Sequence, residues 1–255
     1  MLNQDNIVPL YEQLMNILEH DIRTGKYSPG DRIMTESELS KKYGISLITV
    51  RKAISLLTEK GLLIKKQGKG TFVAKPKYSR NIRRLSGFTQ MCEQMGVVPG
   101  GRMLDNRLIA ADEKTAKKLG VAPGSDIIYI HRLRYANNEP VIIERNYFPP
   151  KYAELLQRRF DNESLFAYLK EHMGVICKES EKLIELCHVT GEEAKMLDVK
   201  RGDYMMFVKS TAYDQNREPI YVGVQIINGE RFSLNVYAGN RQILSIIFTQ
   251  EVSIL

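Results

Sequence analysis

Apolar residues recur at helical spacing in three short runs near the start of the chain. Leu10, Leu14, Ile17, Leu18 and Ile22 follow Pro9 and form a stripe suited to burial. Gly25, Pro29 and Gly30 then break the pattern. Thr35 and Glu38 have capping-box spacing and predict a short helix carrying Leu39 and Tyr43, ended by Gly44. Ser46 caps a second helix whose Val50, Ala53, Ile54 and Leu57 share one face, with Gly61 beyond its end. Residues 62–73 read as a β-ribbon folded about Gln67-Gly68-Lys69-Gly70. Two helices joined by a tight glycine turn and followed by a ribbon predict a winged helix-turn-helix.

The pattern changes after residue 84. The stretch Glu113 to Pro140 is repeated, loosely, from Gly191 to Pro219. Ala116, Leu119, Val121, Gly124 and Tyr135 match Ala194, Leu197, Val199, Gly202 and Tyr213 at an offset of 78, and Glu139-Pro140 match Glu218-Pro219 at 79. Each copy reads as a short helix, a glycine turn, a strand, a polar turn and a second strand. Two copies are too few for a solenoid and predict instead an α+β domain with one mostly antiparallel sheet and internal pseudo-twofold symmetry. Helical segments at 151–159 and 164–172 lie between the copies. The expected division is a reader at 1–74, a polar, basic linker at 75–84 and a second domain at 85–255. The tail from Val236 carries an apolar run, Ile243–Phe248, that the pattern does not interpret.

Charge sharpens this division. Residues 1–80 hold 14 Lys+Arg against 8 Asp+Glu, whereas the rest of the chain holds 23 against 22. The excess sits on the predicted reader, where counterion release drives phosphate binding. Three cysteines without a C-x-x-C spacing fit a reducing cytoplasm and argue against disulfides or zinc, and Cys187-His188 has no cluster to complete a metal site. No signal peptide or apolar run of membrane length is present, so no membrane partner is expected. Gly68-Lys69-Gly70-Thr71 lacks the glycine spacing of a phosphate-binding P-loop, and no cofactor is implied. The four histidines are far apart in sequence and read as structural.

The first 74 residues resemble the DNA-binding domain of the GntR family of bacterial transcription regulators. The resemblance is carried by Pro9-Leu10-Tyr11 with Gln13, Pro29-Gly30-Asp31, Glu36 with Glu38-Leu39, Thr49-Val50-Arg51 with Ala53, Gly61-Leu62 and Gln67 through Val73. It implies that Thr35, Glu36, Ser46, Thr49 and Arg51 face operator DNA, with the wing residues Lys66, Gln67, Gly68, Lys69 and Gly70 touching backbone or minor groove. Ser37 and Leu47 stand where family members often carry arginine.

Residues 85–234 resemble the effector-binding domain of the HutC subfamily, called UTRA, which shares its fold with chorismate lyase. Its markers are Leu85 through Thr89, Arg132-Leu133-Arg134, Pro140 with Glu144, Ser164-Leu165, Pro219-Ile220 and Glu230-Arg231-Phe232. Arg132 and Arg134 alternate on a strand and so point to one face, where two guanidinium forks suit a phosphate or carboxylate; equally, they fit two solvated residues paired with acids such as Glu144. Their counterparts in the second copy are Ser210 and Ala212. The resemblance implies an effector site of Phe88, Thr89, Arg132, Arg134, Glu144, Ser164 and Tyr221, the last at a position where the family commonly has glutamate. Glu144 shares a face with Arg132 only if the hairpin loop holds an odd number of residues.

The expectation is a homodimeric DNA-binding repressor of double-stranded operator DNA, modulated by a small anionic metabolite such as a sugar phosphate. Two alternatives stand beside it: the same architecture sensing an amino-acid-derived carboxylate, and a chorismate-lyase-like enzyme fused to a DNA reader.

Overall fold

The computed structural model describes residues 2–3, 6–66, 68–75, 77–83, 85–237 and 243–244. The chain divides into two compact units, Met1–Pro76 and Lys77–Leu255.

The first unit is built from α1 (Leu10–Arg23), α2 (Glu36–Tyr43), α3 (Leu47–Glu59), β1 (Leu63–Lys66) and β2 (Gly70–Val73). The local signals act as the sequence implies. Thr35 and Glu38 form the reciprocal capping box, Gly44 ends α2 at φ 65°, and Ser46 caps α3 by accepting from the Thr49 amide. Leu14 and Leu18 of α1 meet Val50, Ala53, Ile54 and Leu57 of α3, with Leu39, Leu63 and Val73 closing a single core. Burial of that face fixes which side of α3 is left for a partner. The antiparallel β1–β2 ribbon gains a third member that periodicity did not suggest. Arg32 bridges Phe72, and backbone bonds tie Gly30 to Val73 and Ile33 to Thr71.

The second unit holds a six-stranded antiparallel sheet in the order β4-β5-β6-β9-β8-β7. Its strands are β4 (Pro99–Ala110), β5 (Asp126–Ala136), β6 (Glu139–Phe148), β7 (Glu179–His188), β8 (Tyr204–Tyr213) and β9 (Pro219–Ile227). The duplication becomes visible as symmetry about the β6–β9 pair. α5 (Glu113–Leu119) leads into β5–β6 just as α7 (Gly191–Leu197) leads into β8–β9. α5 and α7 pack on one face of the sheet through the Ile127 and Ile143 clusters. The other face carries α4 (Phe88–Gln94), a 3-10 helix (Pro150–Gln157) and α6 (Leu165–Met173). Ser164 caps α6 and Gly174 ends it.

One expectation is corrected here. Residues 78–81, placed within a linker by composition, form β3 (Tyr78–Asn81), which pairs in parallel with β10 (Phe232–Tyr237). Only Tyr78 in that stretch offers a large apolar surface, its ring tilted against Phe232 with centroids 5.3 Å apart. The strand is made by pairing with a distant partner, which local composition does not report. β10 also pairs with β11 (Ile243–Leu244); the rest of the tail lies outside the described residues.

Candidate functional site

In the reader, the side chains expected at DNA lie on the end of α3, the start of α2 and the wing. Ser46 Oγ and Thr49 Oγ1 are 2.8 Å apart, and Thr35 is engaged in the α2 cap. Glu36 accepts from Arg51 Nε at 2.7 Å and from Lys65 Nζ at 3.3 Å, which lowers its carboxyl's pKa, the Arg51 bond contributing most. The ion pair holds the Arg51 guanidinium beside the helix while its side chain stays 62% exposed. In the wing, Gly68 and Gly70 adopt φ 73° and 115°, values open to glycine, and place Lys69 at the turn. A Cβ at Gly70 would meet Arg32 Nε at 2.7 Å. Lys66 Nζ lies over the Phe72 ring at 5.3 Å. Gln67 lies outside the described residues.

In the second unit, the structure brings all seven expected side chains around one cavity between the sheet and the starts of α4 and α6. Arg132 and Arg134 are 4% and 1% exposed. The solvated reading of these arginines is therefore excluded. Arg132 Nη2 donates to Glu144 Oε2 at 2.8 Å, and Arg134 Nη2 donates to Thr89 Oγ1 at 3.1 Å, with the Phe88 ring 4.8 Å beneath the Arg134 guanidinium. Both arginines also donate to the Glu163 carbonyl, immediately before the α6 cap. Their Nε atoms have no hydrogen-bond partner.

The register that seats Glu144 opposite Arg132 arises differently from the expectation. The β5–β6 loop holds two residues, Asn137 and Asn138, both at positive φ, so its parity is even. A bulge restores the alignment: Arg134 pairs with Ile142 but Tyr135 with Pro140, leaving Val141 as the extra residue. The β8–β9 hairpin has a longer loop and a matching shift between Ala212 and Tyr213.

Five lining residues were not expected at the site: Asn146, Leu165, Phe166, Ser210 and Gln225. Ser210 stands across the pseudo-symmetry from Arg132, so the comparison of copies held that signal. Gly223 sits between Asn146 and Ser210 in the sheet, and a Cβ there would meet Ser210 Oγ at 2.9 Å and Asn146 Oδ1 at 3.1 Å. Its lack of a side chain keeps the floor open.

A further guanidinium enters from β3. Arg80 Nη1 donates to Gln225 Oε1 at 2.9 Å, and Gln225 Nε2 donates to Glu144 Oε1 at 2.8 Å. Three arginines thus converge on one carboxylate. Burial by itself would raise the Glu144 carboxyl, but Arg132, Arg134 and Arg80 together with the Gln225 bond outweigh it and hold it below the usual range. Burial lowers Arg134 to about 10, opposed by Glu144 and reinforced by Arg132. Desolvation raises the Tyr221 hydroxyl, whose ring packs between Phe148 and Phe166. The free space among these side chains is about 20 Å³, room for about one water-sized group.

No group of three or more metal-ligating side chains occurs among the described residues, and no helix there is long and apolar enough to cross a membrane.

Comparison with known proteins agrees with both halves. Residues 10–73 match the family described as bacterial regulatory proteins, gntR family, and residues 94–233 match the UTRA domain. The HTH-type transcriptional regulator YurK of Bacillus subtilis (strain 168) is 35% identical over 237 residues, covering 92% of this chain and 98% of that protein. The HTH-type transcriptional repressor NagR of the same organism is 31% identical, covering 92% and 97%. The crystal structure of PhnF from Mycobacterium smegmatis superposes with a TM-score of 0.64 at 22% identity, over 91% of this chain and 99% of that one, and shares the fold. The enzyme reading is set aside: the chain belongs to the gntR family of bacterial regulatory proteins and is a DNA-binding transcription regulator, a winged helix-turn-helix followed by a UTRA domain.

Proposed function

We propose that the protein is a cytoplasmic, homodimeric repressor whose hold on operator DNA changes when a small anionic metabolite, of the sugar-phosphate class, binds among Arg132, Arg134, Thr89 and Ser164. The observation that carries this reading is the charge imbalance of the cavity. Arg132, Arg134 and Arg80 face Glu144 as the one carboxylate in their network, and two Nε donors lack partners. A buried surplus of positive charge is costly until an anion joins it. The free amides at the start of α6 aim the positive end of a helix at the same space. Glu144, Asn146, Ser210 and Gln225 add acceptors and donors suited to ligand hydroxyls.

Several named relatives lean the same way, while the histidine utilization repressor of Pseudomonas putida fits the amino-acid-derived alternative. The former include repressors of fructoselysine utilization and of mannosyl-D-glycerate transport and metabolism, besides NagR. A single recognition helix reads a half-site, so a twofold dimer on a palindromic operator is the natural partner geometry.

The cavity's small volume has a mechanistic consequence. A sugar phosphate needs more room than the free space among these side chains offers, so we take its binding to be coupled to movement of the walls. The bonds from Arg134 to Thr89 and from Arg80 to Gln225 are the contacts an incoming phosphate would compete with. Effector and operator then favour different conformations, and each weakens the other's binding by the same factor, typically about 5–150-fold.

A thermal-shift screen of sugar phosphates, inorganic phosphate and amino-acid-derived carboxylates tests the reading. A true effector at 100 times its Kd adds about 2.7 kcal/mol of stability. It should also shift operator affinity in the wild type but not in Arg132→Ala/Arg134→Ala. A double variant that still responds fully to the effector would place the site elsewhere.

A further inference from the structure

The end of α3 that faces away from the core has an unusual chemistry for a DNA-reading helix. Its first turn holds no acidic or basic residue. Its two hydroxyls are already engaged: Ser46 Oγ accepts from the Thr49 amide at 3.2 Å and pairs with Thr49 Oγ1 at 2.8 Å. What projects instead is apolar. Leu47 is 40% exposed and Ile48 is 77% exposed. Val50 is fully buried and anchors the helix, and Ile48, two residues earlier, lies about 200° around the axis from it. Ile48 therefore points outward by construction.

Cations border this patch. Arg51 is one turn from Ile48 on the same surface and is held in place by Glu36. Lys52 follows, with its ammonium 3.8 Å over the Tyr11 ring. An exposed apolar spot with two cations on the next turn of the helix matches a groove with phosphate walls and an apolar point on its floor. In the major groove, base edges offer donors, acceptors and one apolar group, the 5-methyl of thymine.

We propose that Leu47 and Ile48 are specificity-determining residues that read thymine methyl groups, so that the operator half-site places thymine under the α3 tip. This inference rests on α3 being the single recognition helix of the proposed function, seated in the major groove. It also goes beyond that reading, because it states what the helix selects. Arginines at the helix tip would favour guanine, whose O6 and N7 accept both arms of a guanidinium. Leu47 and the neutral Ser37 at the α2 start remove that preference and leave shape and methyl contact.

The test begins with full-length protein and a pool of random duplexes, from which bound sequences are selected and read. The best-bound duplex is then resynthesised with deoxyuridine for thymidine, which deletes the methyl and keeps every hydrogen-bonding group. Wild type should bind the uridine duplex more weakly, by about fourfold for each methyl contacted, the worth of one methyl-sized group withdrawn from water. Ile48→Ala/Leu47→Ala, changed at exposed positions, should bind both duplexes alike while keeping affinity for random DNA. Equal binding of both duplexes by the wild type overturns the inference. So does a thymidine preference that survives unchanged in the double variant, which would assign the methyl contact to other residues. A selection that enriches no sequence at all removes α3 as a reading helix, and the inference falls with it.

Discussion

Glu144→Gln is the sharpest probe of the second unit, because it changes one atom in a network whose every direction is set. Arg80 can only donate, so Gln225 must offer it the carbonyl oxygen and turn its amide group toward Glu144. Arg132 can only donate to the other oxygen. Both Glu144 oxygens are therefore required as acceptors. Glutamine supplies one acceptor and one donor, so a donor is left facing a donor whichever way the amide turns. The charge adds to this. Glu144 is 5% exposed and Arg132 4% exposed, and removal of one partner from a buried pair costs about 3–5 kcal/mol.

For a unit of this size each kcal/mol lowers Tm by about 2–4 °C, so the variant should melt roughly 6–20 °C lower. Scanning calorimetry of the full chain measures the shift. Inorganic phosphate should restore more stability to Glu144→Gln than to wild type, since the variant leaves one more cation without a counter-charge. A variant that melts with the wild type, or gains no more from phosphate, would refute the idea that Glu144 holds the three arginines in balance.

Other outcomes follow from the same geometry. Arg51→Ala should weaken binding of the selected operator by about 1–3 kcal/mol in a gel-shift titration without unfolding the reader, because the side chain is exposed. Lys69→Ala at the wing should reduce affinity for operator and random DNA alike and lower the salt slope by about one unit. Gly223→Ala should leave DNA binding near wild type yet abolish the effector-induced thermal shift, since the added methyl meets Ser210 and Asn146 on the cavity floor. The Glu144 carboxyl, and that of Glu193 on α7, where burial is outweighed by bonds from the Thr190 amide and Arg145, are both held below the usual value near 4.5 in the folded state. The stability they contribute is complete above that value and lost as the pH falls through their lower folded values. Wild-type Tm should accordingly fall as the pH drops below about 4.5, and more steeply than that of Glu144→Gln.

Local signals in the sequence carried the reader almost entirely. A capping box, a Ser46 cap, two turn glycines and a buried stripe each act over four to eight residues, so they are readable without knowing what packs where. The symmetry of the second unit was legible for a different reason: the copies could be compared with each other. That comparison pointed to Arg132 and Arg134 standing against Ser210 and Ala212, and the cavity lies where that contrast is greatest. Long-range pairing stayed hidden. Nothing near Arg80 signals that a basic, proline-flanked stretch becomes a strand, because its partner is β10. The Val141 bulge was equally invisible: an even loop alone would have turned Glu144 away from Arg132, and the bulge brings it back. Gln225 reached the site through the β6–β9 register, which sets it opposite Glu144.

The pairing of β3 with β10 also sets a timetable for the nascent chain. Asn235 and Ser79 bond to each other across 156 positions of sequence, so the strand that opens the second unit waits for nearly the last described residue. The reader's core is complete at Val73. At about 5–20 residues per second of synthesis, a folded reader would precede its finished sensor by roughly 10–30 s. On the function proposed above, each newly made chain in that interval carries a reader whose effector site is not yet built.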